Sequence, residues 1–415
     1  MASIQSGSRG TINEPLSDRA RWTALVIVTA LFFMWGFITV LNDILVPHLK
    51  GVFELNYTRA ALIQFVFFGA YFLMSLPSGV LVSRLGYKRT MVAGLVTAAA
   101  GTLLFLPAAA VLSYALFLGA LFVLATGITI LQVSANPYIS ALGNPETASS
   151  RLNLAQAFNS LGTTIAPALG GALILSHQAA AAQDKMAEAA SVKVPYLILT
   201  GILLLLGVII ALTRLPTISA VEGESGREGT LWDAIKVPRL SLGAIGIFLY
   251  VGAEVAIGSF LINYLGEKQI AGLDEPTAAQ YVSLYWGGAM VGRFIGSALL
   301  QFVKPNRLLA FNATVTVALS VTAFLASGYV AMWAALLIGV FNSIMFPNIF
   351  TLGIRDLGHL TGKGSSLLVM AIVGGAIVPQ VMGYAADKVG VHHSFFIPAL
   401  CYLFIIYYGW RGHRK

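Results

Sequence analysis

The informative side chains are polar ones that interrupt long apolar runs, because each is costly there. One run carries Trp35, Thr39, Asn42 and Asp43. Positions 35, 39 and 42 share a helical face. A second run carries Thr129, Gln132, Asn136 and Ser140, and a third carries Gln156, Asn159 and Thr163, again at three- and four-residue spacing. Each run therefore presents a polar stripe. Amides both donate to and accept from hydroxyls, and an indole stacks on the apolar face of a sugar ring. Stripes of this kind beside a tryptophan suit a neutral polyhydroxylated solute. The competing reading is that the amides are interhelical glue.

Two acids stand inside apolar runs, Asp43 and Glu254. A carboxylate in a poorly solvated site takes up a proton more readily, or it coordinates a cation. Either chemistry would couple cation movement to the solute, and sodium near Asp43 is one form of it. A protonated or locally paired structural acid is the alternative for each. Arg293, in Gly292-Arg-Phe-Ile-Gly296, is expected to be structural. Its guanidinium would snorkel to the surface or bond a neighbouring helix end; pairing with a mobile carboxylate is the sharper alternative. The loop from Gly79 to Arg89 holds Arg84, Lys88 and Arg89, which suit helix-end carbonyls and carboxylates. It reads as a gate latch.

Other chemistries find no support. There is no Gly-x-x-x-x-Gly-Lys-[Ser/Thr] phosphate loop and no recognisable Ser/His/Asp arrangement. The six histidines are scattered, without zinc-site spacing. The single cysteine, Cys401, sits in an apolar setting and excludes a disulfide framework within the chain. No enzyme activity, cofactor or metal centre is expected.

The elements that position these residues follow from composition. Of 415 residues, 57% are hydrophobic and 10% charged, with a mean hydropathy of +0.82. A soluble domain of this length needs more charge on its surface. Apolar stretches of membrane-crossing length recur at roughly 23–46, 60–82, 90–108, 112–141, 153–175, 194–213, 240–264, 279–302, 308–326, 330–354, 366–386 and 394–410. In lipid they must be helices, and the 42 glycines fit close helix packing. We number them spans 1 to 12.

The formal net charge of +8 does not indicate nucleic acid, because the basic residues sit in short loops. With both termini cytoplasmic, the opposite face holds only Lys50, Arg59, Lys185, Lys193, Lys268 and Lys388 of the 25 Lys and Arg. Most of the others lie in cytoplasmic segments, which fixes the orientation. The first twenty or so residues lack the apolar core of a signal peptide. The expected organisation is a cytoplasmic tail (1–22), a six-helix half (23–213), a cytoplasmic linker (214–239), a second six-helix half (240–410) and a cytoplasmic tail (411–415).

The halves look like repeats. Gly162, Pro167 and Gly171 recur as Gly374, Pro379 and Gly383 at a constant offset of 212 residues. Asn136-Pro137 of span 4 answers Pro347-Asn348 of span 10. Parallel six-helix repeats belong to a transporter architecture that binds solute between its halves near the midplane.

The loop 79–89 resembles the signature between spans 2 and 3 of the major facilitator superfamily, with Ser83 where an Asp is usual. Within that superfamily, nearly the whole chain resembles the fucose–galactose–proton symporter family. The stretches that carry this likeness are Phe33-Met-Trp35-Gly-Phe-Ile-Thr-Val-Leu-Asn42-Asp43, Ala135-Asn136-Pro137-Tyr138, Arg151-Leu-Asn-Leu-Ala-Gln156-Ala-Phe-Asn159-Ser160 and Phe346-Pro-Asn348-Ile-Phe. The resemblance implies an all-α membrane protein of twelve helices in two pseudo-symmetric halves. It implies that Asp43 takes part in coupling and that Trp35, Gln156 and Asn159 line a sugar cavity. Gln132 and Glu254 are more similar to the glucose/galactose branch than to the L-fucose members, which have a Glu and a Gln there. Thr39, Val40 and Phe346 also depart from the L-fucose pattern. With no acid at position 132, sodium stands beside the proton as coupling ion.

The expectation is therefore cation-coupled import of a hexose such as glucose or galactose across a bacterial inner membrane, by a chain working as a monomer in the bilayer. Trp35, Asn42, Gln132, Asn136, Gln156, Asn159, Phe346 and Asn348 would serve the solute. Asp43 and Glu254 would serve coupling, and Arg84, Lys88 and Arg89 gating. Symport of L-fucose or N-acetylglucosamine with a proton is the alternative. An exporter of amphipathic compounds would have a more apolar cavity. A non-transporting sugar receptor or scaffold needs a signalling domain or long tail, and both tails are short.

Overall fold

The computed structural model describes residues 18–53, 57–174, 193–218 and 229–414, excluding the side chains of 41–52, 57–61 and 167–174. Asn42 and Asp43 thus belong to span 1, but their side chains lie outside the described set. The tail before residue 18, the loop with Lys185 and the linker stretch with Arg227 also lie outside it.

The described residues are helical and contain no strand. Span 1 is Asp18–Val52, and spans 2 and 3 form one run, Tyr57–Ala110. A straight helix of 54 residues would be about 80 Å long, over twice the hydrocarbon core. The run breaks at Gly86, whose φ of 73° and ψ of 169° suit a residue without a Cβ. Span 4 is Tyr114–Ala141, span 5 Ala148–Ile174 and span 6 Lys193–Leu212. Spans 7, 8 and 9 are Pro238–Gly266, Glu275–Leu299 and Pro305–Leu325. Spans 10, 11 and 12 occupy Gly328–Ile354, Gly358–Val389 and Val391–Trp410.

Nine segments of the described residues are long and apolar enough to cross a membrane, and one of them holds both spans 2 and 3. Span 8 stands outside that set because its polar side chains dilute it, and span 5 because its side chains are described only as far as Ala166. Those two polar helices pack on each other across the seam between the halves, as spans 2 and 11 do.

The repeat seen in sequence is a packing relation. Span 1 packs on span 5, and span 7 packs on span 11. A Cβ at Gly162 would strike the carbonyl oxygen of Phe33, and a Cβ at Gly374 would strike that of Phe248. In lipid the apolar effect supplies little helix–helix drive, so such close backbone approach does the holding.

Candidate functional site

Two prolines shape the seam. Proline has no N–H to give to the carbonyl four residues earlier, and its ring crowds that carbonyl. Pro137 thereby frees the carbonyl of Val133, and Pro347 frees that of Ser343. Each finds a donor from the second half. Ser365 Oγ, on span 11, donates to Val133 O at 2.9 Å. Arg293 Nε, on span 8, donates to Ser343 O at 3.1 Å. One turn before Pro347, at Ser343 and Ile344, the helix parts into Gly328–Asn342 and Met345–Ile354.

Arg293 is the centre of a knot. Its Nη2 lies 3.4 Å from Glu254 Oε1 on span 7, and Tyr250 donates to the same oxygen at 2.7 Å. Its Nη1 donates to the Ser160 hydroxyl on span 5, in the other half. The Arg293 and Glu254 side chains are only 13% and 12% exposed. Arg293 therefore does not snorkel to the surface. It bonds a helix end, as one limb of the expectation had it, and it also pairs with a carboxylate. Behind it, Asn342 donates to Tyr285 at 2.9 Å and to Tyr402 at 3.2 Å.

The first-half stripe is neutral. Trp35 is buried against Phe32, ring centroids 4.0 Å apart. Gln132 Nε2 donates to the Tyr71 hydroxyl at 3.0 Å, the counterpart of Asn342 on Tyr285. Asn159 Nδ2 donates to Phe32 O at 2.9 Å, which ties span 5 to span 1 and leaves its Oδ1 as an acceptor. Gln156, 8% exposed, lies one turn before Ser160, whose hydroxyl donates to the Gln156 carbonyl at 3.1 Å. Through Ser160 the neutral stripe and the charged knot meet. Phe346 is buried and stacks on Phe350 at 5.8 Å.

Asn136 and Asn348 are placed differently from the stripe. Both are fully enclosed, nearer the face that carries the loop 79–89. We call this the basic face. The halves are sealed there by neutral bonds. Ser149 Oγ and Thr351 Oγ1 are 2.6 Å apart. Ser150 Oγ donates to Ser297 O at 2.7 Å, and Ser297 Oγ donates back to Ser150 O at 2.9 Å. Asn153 Nδ2 donates to Asn348 Oδ1 at 3.0 Å.

Gly79 and Val82 of the loop 79–89 lie against Gly362 of span 11, whereas the loop's described side-chain hydrogen bonds stay inside the first half. Lys88 Nζ donates to Ala211 O at 2.9 Å, near the carboxyl end of span 6, where a cation is favoured. Arg84 and Arg89 are exposed. Ser83 Oγ turns back onto Val80 O at 2.9 Å.

The sequence reading passed over Tyr71, Asn153, Ser160, Tyr250, Tyr285 and Asn342. Two signals were present. Each interior proline marks an unpaired carbonyl four residues back. Tyr250 and Ser160 each sit four residues from an already selected polar residue, on the same helical face.

Twelve helices in two like halves, with a polar seam sealed at one face, define a membrane transporter rather than an enzyme. The chain belongs to the Major Facilitator Superfamily, whose family model matches residues 23–379. It is 55% identical over 404 residues to a glucose/galactose transporter of Brucella abortus, covering 97% of each chain. It is 36% identical to the L-fucose-proton symporter of Escherichia coli, covering 97% of this chain and 96% of that one. Among solved structures it resembles a Major Facilitator Superfamily transporter, FucP, in the outward conformation. The TM-score is 0.86 at 36% identity, covering 94% of this chain and 99% of that one.

Proposed function

We propose that the chain imports a hexose such as glucose or galactose, coupled to a proton or sodium ion, by alternating access. The observation that carries this is the neutral amide stripe beside Trp35, set against a polar seam whose basic face is sealed. The names of its relatives support the substrate class.

In this reading the basic face is cytoplasmic, both termini lie on that side, and the sealed state faces outward. Trp35 stacks on the sugar, Gln132, Gln156 and Asn159 exchange hydrogen bonds with its hydroxyls, and Phe346 closes the far wall. Asn42 lies beside Asp43, the main coupling acid. Arg293 holds Glu254, which leaves Glu254 a second coupling candidate or a sugar acceptor. The loop residues Arg84, Lys88 and Arg89 brace the first half during rocking. The chain works as a monomer. A cation crossing about 100 mV gains about 2.3 kcal/mol, enough for roughly 50-fold accumulation, so one coupling acid suffices.

The test is counterflow exchange in proteoliposomes with glucose, galactose, L-fucose and N-acetylglucosamine. Exchange of glucose or galactose above the other two is the expected result. Exchange of L-fucose alone would replace the substrate, and exchange of none would remove the sugar reading.

A further inference from the structure

Three asparagines on the basic side of the stripe are fully enclosed yet incompletely bonded. Asn153 Nδ2 donates to Ser149 O at 2.9 Å and to Asn348 Oδ1 at 3.0 Å. Asn153 Oδ1 and Asn348 Nδ2 have no partner, and neither polar atom of Asn136 has one. All three residues are 0% exposed. Flipping the Asn153 amide would set its oxygen against two other oxygens, so the bonded arrangement fixes its orientation.

The repeat explains why Asn136 is left over. Asn136 and Asn348 are 212 residues apart, the offset that relates Gly162 to Gly374. The residue related in the same way to Asn153 is Ser365. Asn348 meets Asn153 across the seam. Ser365, in the equivalent place for Asn136, is shorter and spends its hydroxyl on Val133 O. One amide pair of the symmetric arrangement is thus replaced, and an amide stays open.

The cluster also has a position on a route. Along span 5, Ser149 of the seal comes first, Asn153 one turn deeper, and Gln156 of the stripe next. Along span 10, Asn348 lies one turn deeper than Thr351. Along span 4, Asn136 lies one turn from Gln132 towards the basic face. When the halves part at that face, the Asn153–Asn348 bond breaks, Asn348 joins Asn136 in lacking partners, and Asn153 keeps only its bond to Ser149 O. Together they offer amine donors and carbonyl acceptors, the pairing that hydroxyl groups satisfy.

We propose that Asn136, Asn153 and Asn348 form a second site for a neutral polyol, occupied after the basic face opens and before release. It takes the hexose hydroxyls as they leave the stripe, and it rests on the sugar-transport reading above. Breaking the Asn153–Asn348 bond raises the barrier to opening until new partners arrive. The departing sugar lowers it, so solute occupancy and opening favour each other.

The test is zero-trans flux of labelled galactose and glucose from each face of oriented proteoliposomes. Asn136→Ala and Asn348→Ala are each expected to raise KM from the basic face about tenfold, the worth of one good hydrogen bond. KM from the opposite face stays unchanged. Ser365→Asn exchanges the hydroxyl bond to Val133 O for an amide that can pair both polar atoms of Asn136, favours the sealed state and lowers the maximal rate from the basic face only. If an alanine variant fails to reach the membrane, Ser365→Asn decides the matter. Equal changes at both faces, or no change at either, would overturn the second site while leaving the sugar reading in place. Wild-type protein that moves neither hexose would overturn both.

Discussion

The two halves share a frame and differ in chemistry. In each, an amide on the fourth helix of the half donates to a tyrosine on the second: Gln132 to Tyr71, and Asn342 to Tyr285. In each, a proline frees a carbonyl that a second-half side chain takes. The described polar residues of the first-half stripe are neutral amides and hydroxyls, whereas the second half places Glu254 and Arg293 at its centre. A neutral surface binds and releases hydroxyls at little electrostatic cost. A buried charge pair is costly to disturb, which suits a fixed anchor. On the reading proposed above, this difference sets most of the solute contacts in the first half and gives the Arg293–Glu254 pair a supporting role.

The sharpest way to break that comparison is to unbalance the pair. Arg293→Gln leaves Glu254 without its cation, and an orphaned buried charge costs about 3–5 kcal/mol. We expect a large drop in thermal stability in detergent. Adding Glu254→Gln to it should restore most of the loss. If the double variant is as unstable as the single, the pair is not what Arg293 supports. The mirror experiment is in the first half, where Gln132→Ala and Asn159→Ala should each cost only about 0.5–1.5 kcal/mol of stability, one neutral hydrogen bond. Each should raise KM about 10- to 100-fold, the range of one or two lost hydrogen bonds. Effects on folding of the Arg293 size would erase the distinction between halves.

Ser160→Ala tests the join between the halves. It removes one hydroxyl acceptor from Arg293 and keeps the ion pair with Glu254. We expect a loss of about 1.5–3 kcal/mol, the range for a bond to a charged group, from the sealed state, read as a wider distance distribution between spin labels at positions 146 and 356. An unchanged distribution would confine Arg293 to its own half.

The smallest effect lies outside the membrane. The Thr230 backbone N–H and then its hydroxyl, both donating to Asp233, hold that carboxyl below the ordinary carboxylate value. A depressed value means that the cap is fully formed above the ordinary value and is lost as pH falls through the folded one. Asp233→Ala should therefore speed amide exchange in Leu231–Ile235 at neutral pH, with no difference in strong acid. A difference that persists in acid would place the cap elsewhere.

The twelve spans were legible because lipid demands length and apolarity from every crossing segment. The stripes at Gln132, Gln156 and Asn159 were legible for the same reason, as polar residues against an apolar background. The Arg293 knot was only half legible. Its partners come from spans 5, 7 and 10, and no local spacing encodes which helices meet. The breaks at Gly86 and before Pro347 were written in residue types, but the donors that answer the freed carbonyls depend on packing across the seam. The enclosure of Asn136 and Asn348 follows from the sealed state, a property of how the halves rest on each other.

The most direct measurement is hexose accumulation in proteoliposomes under proton and sodium gradients imposed separately. It should compare wild type, Asp43→Asn, and the paired Arg293→Gln/Glu254→Gln variant. Coupling through the first half predicts uphill accumulation by wild type under one gradient. It predicts that the paired variant keeps accumulating at a reduced rate, and that Asp43→Asn exchanges without accumulating. Accumulation by Asp43→Asn, with none by the paired variant, would contradict the account and move coupling to Glu254.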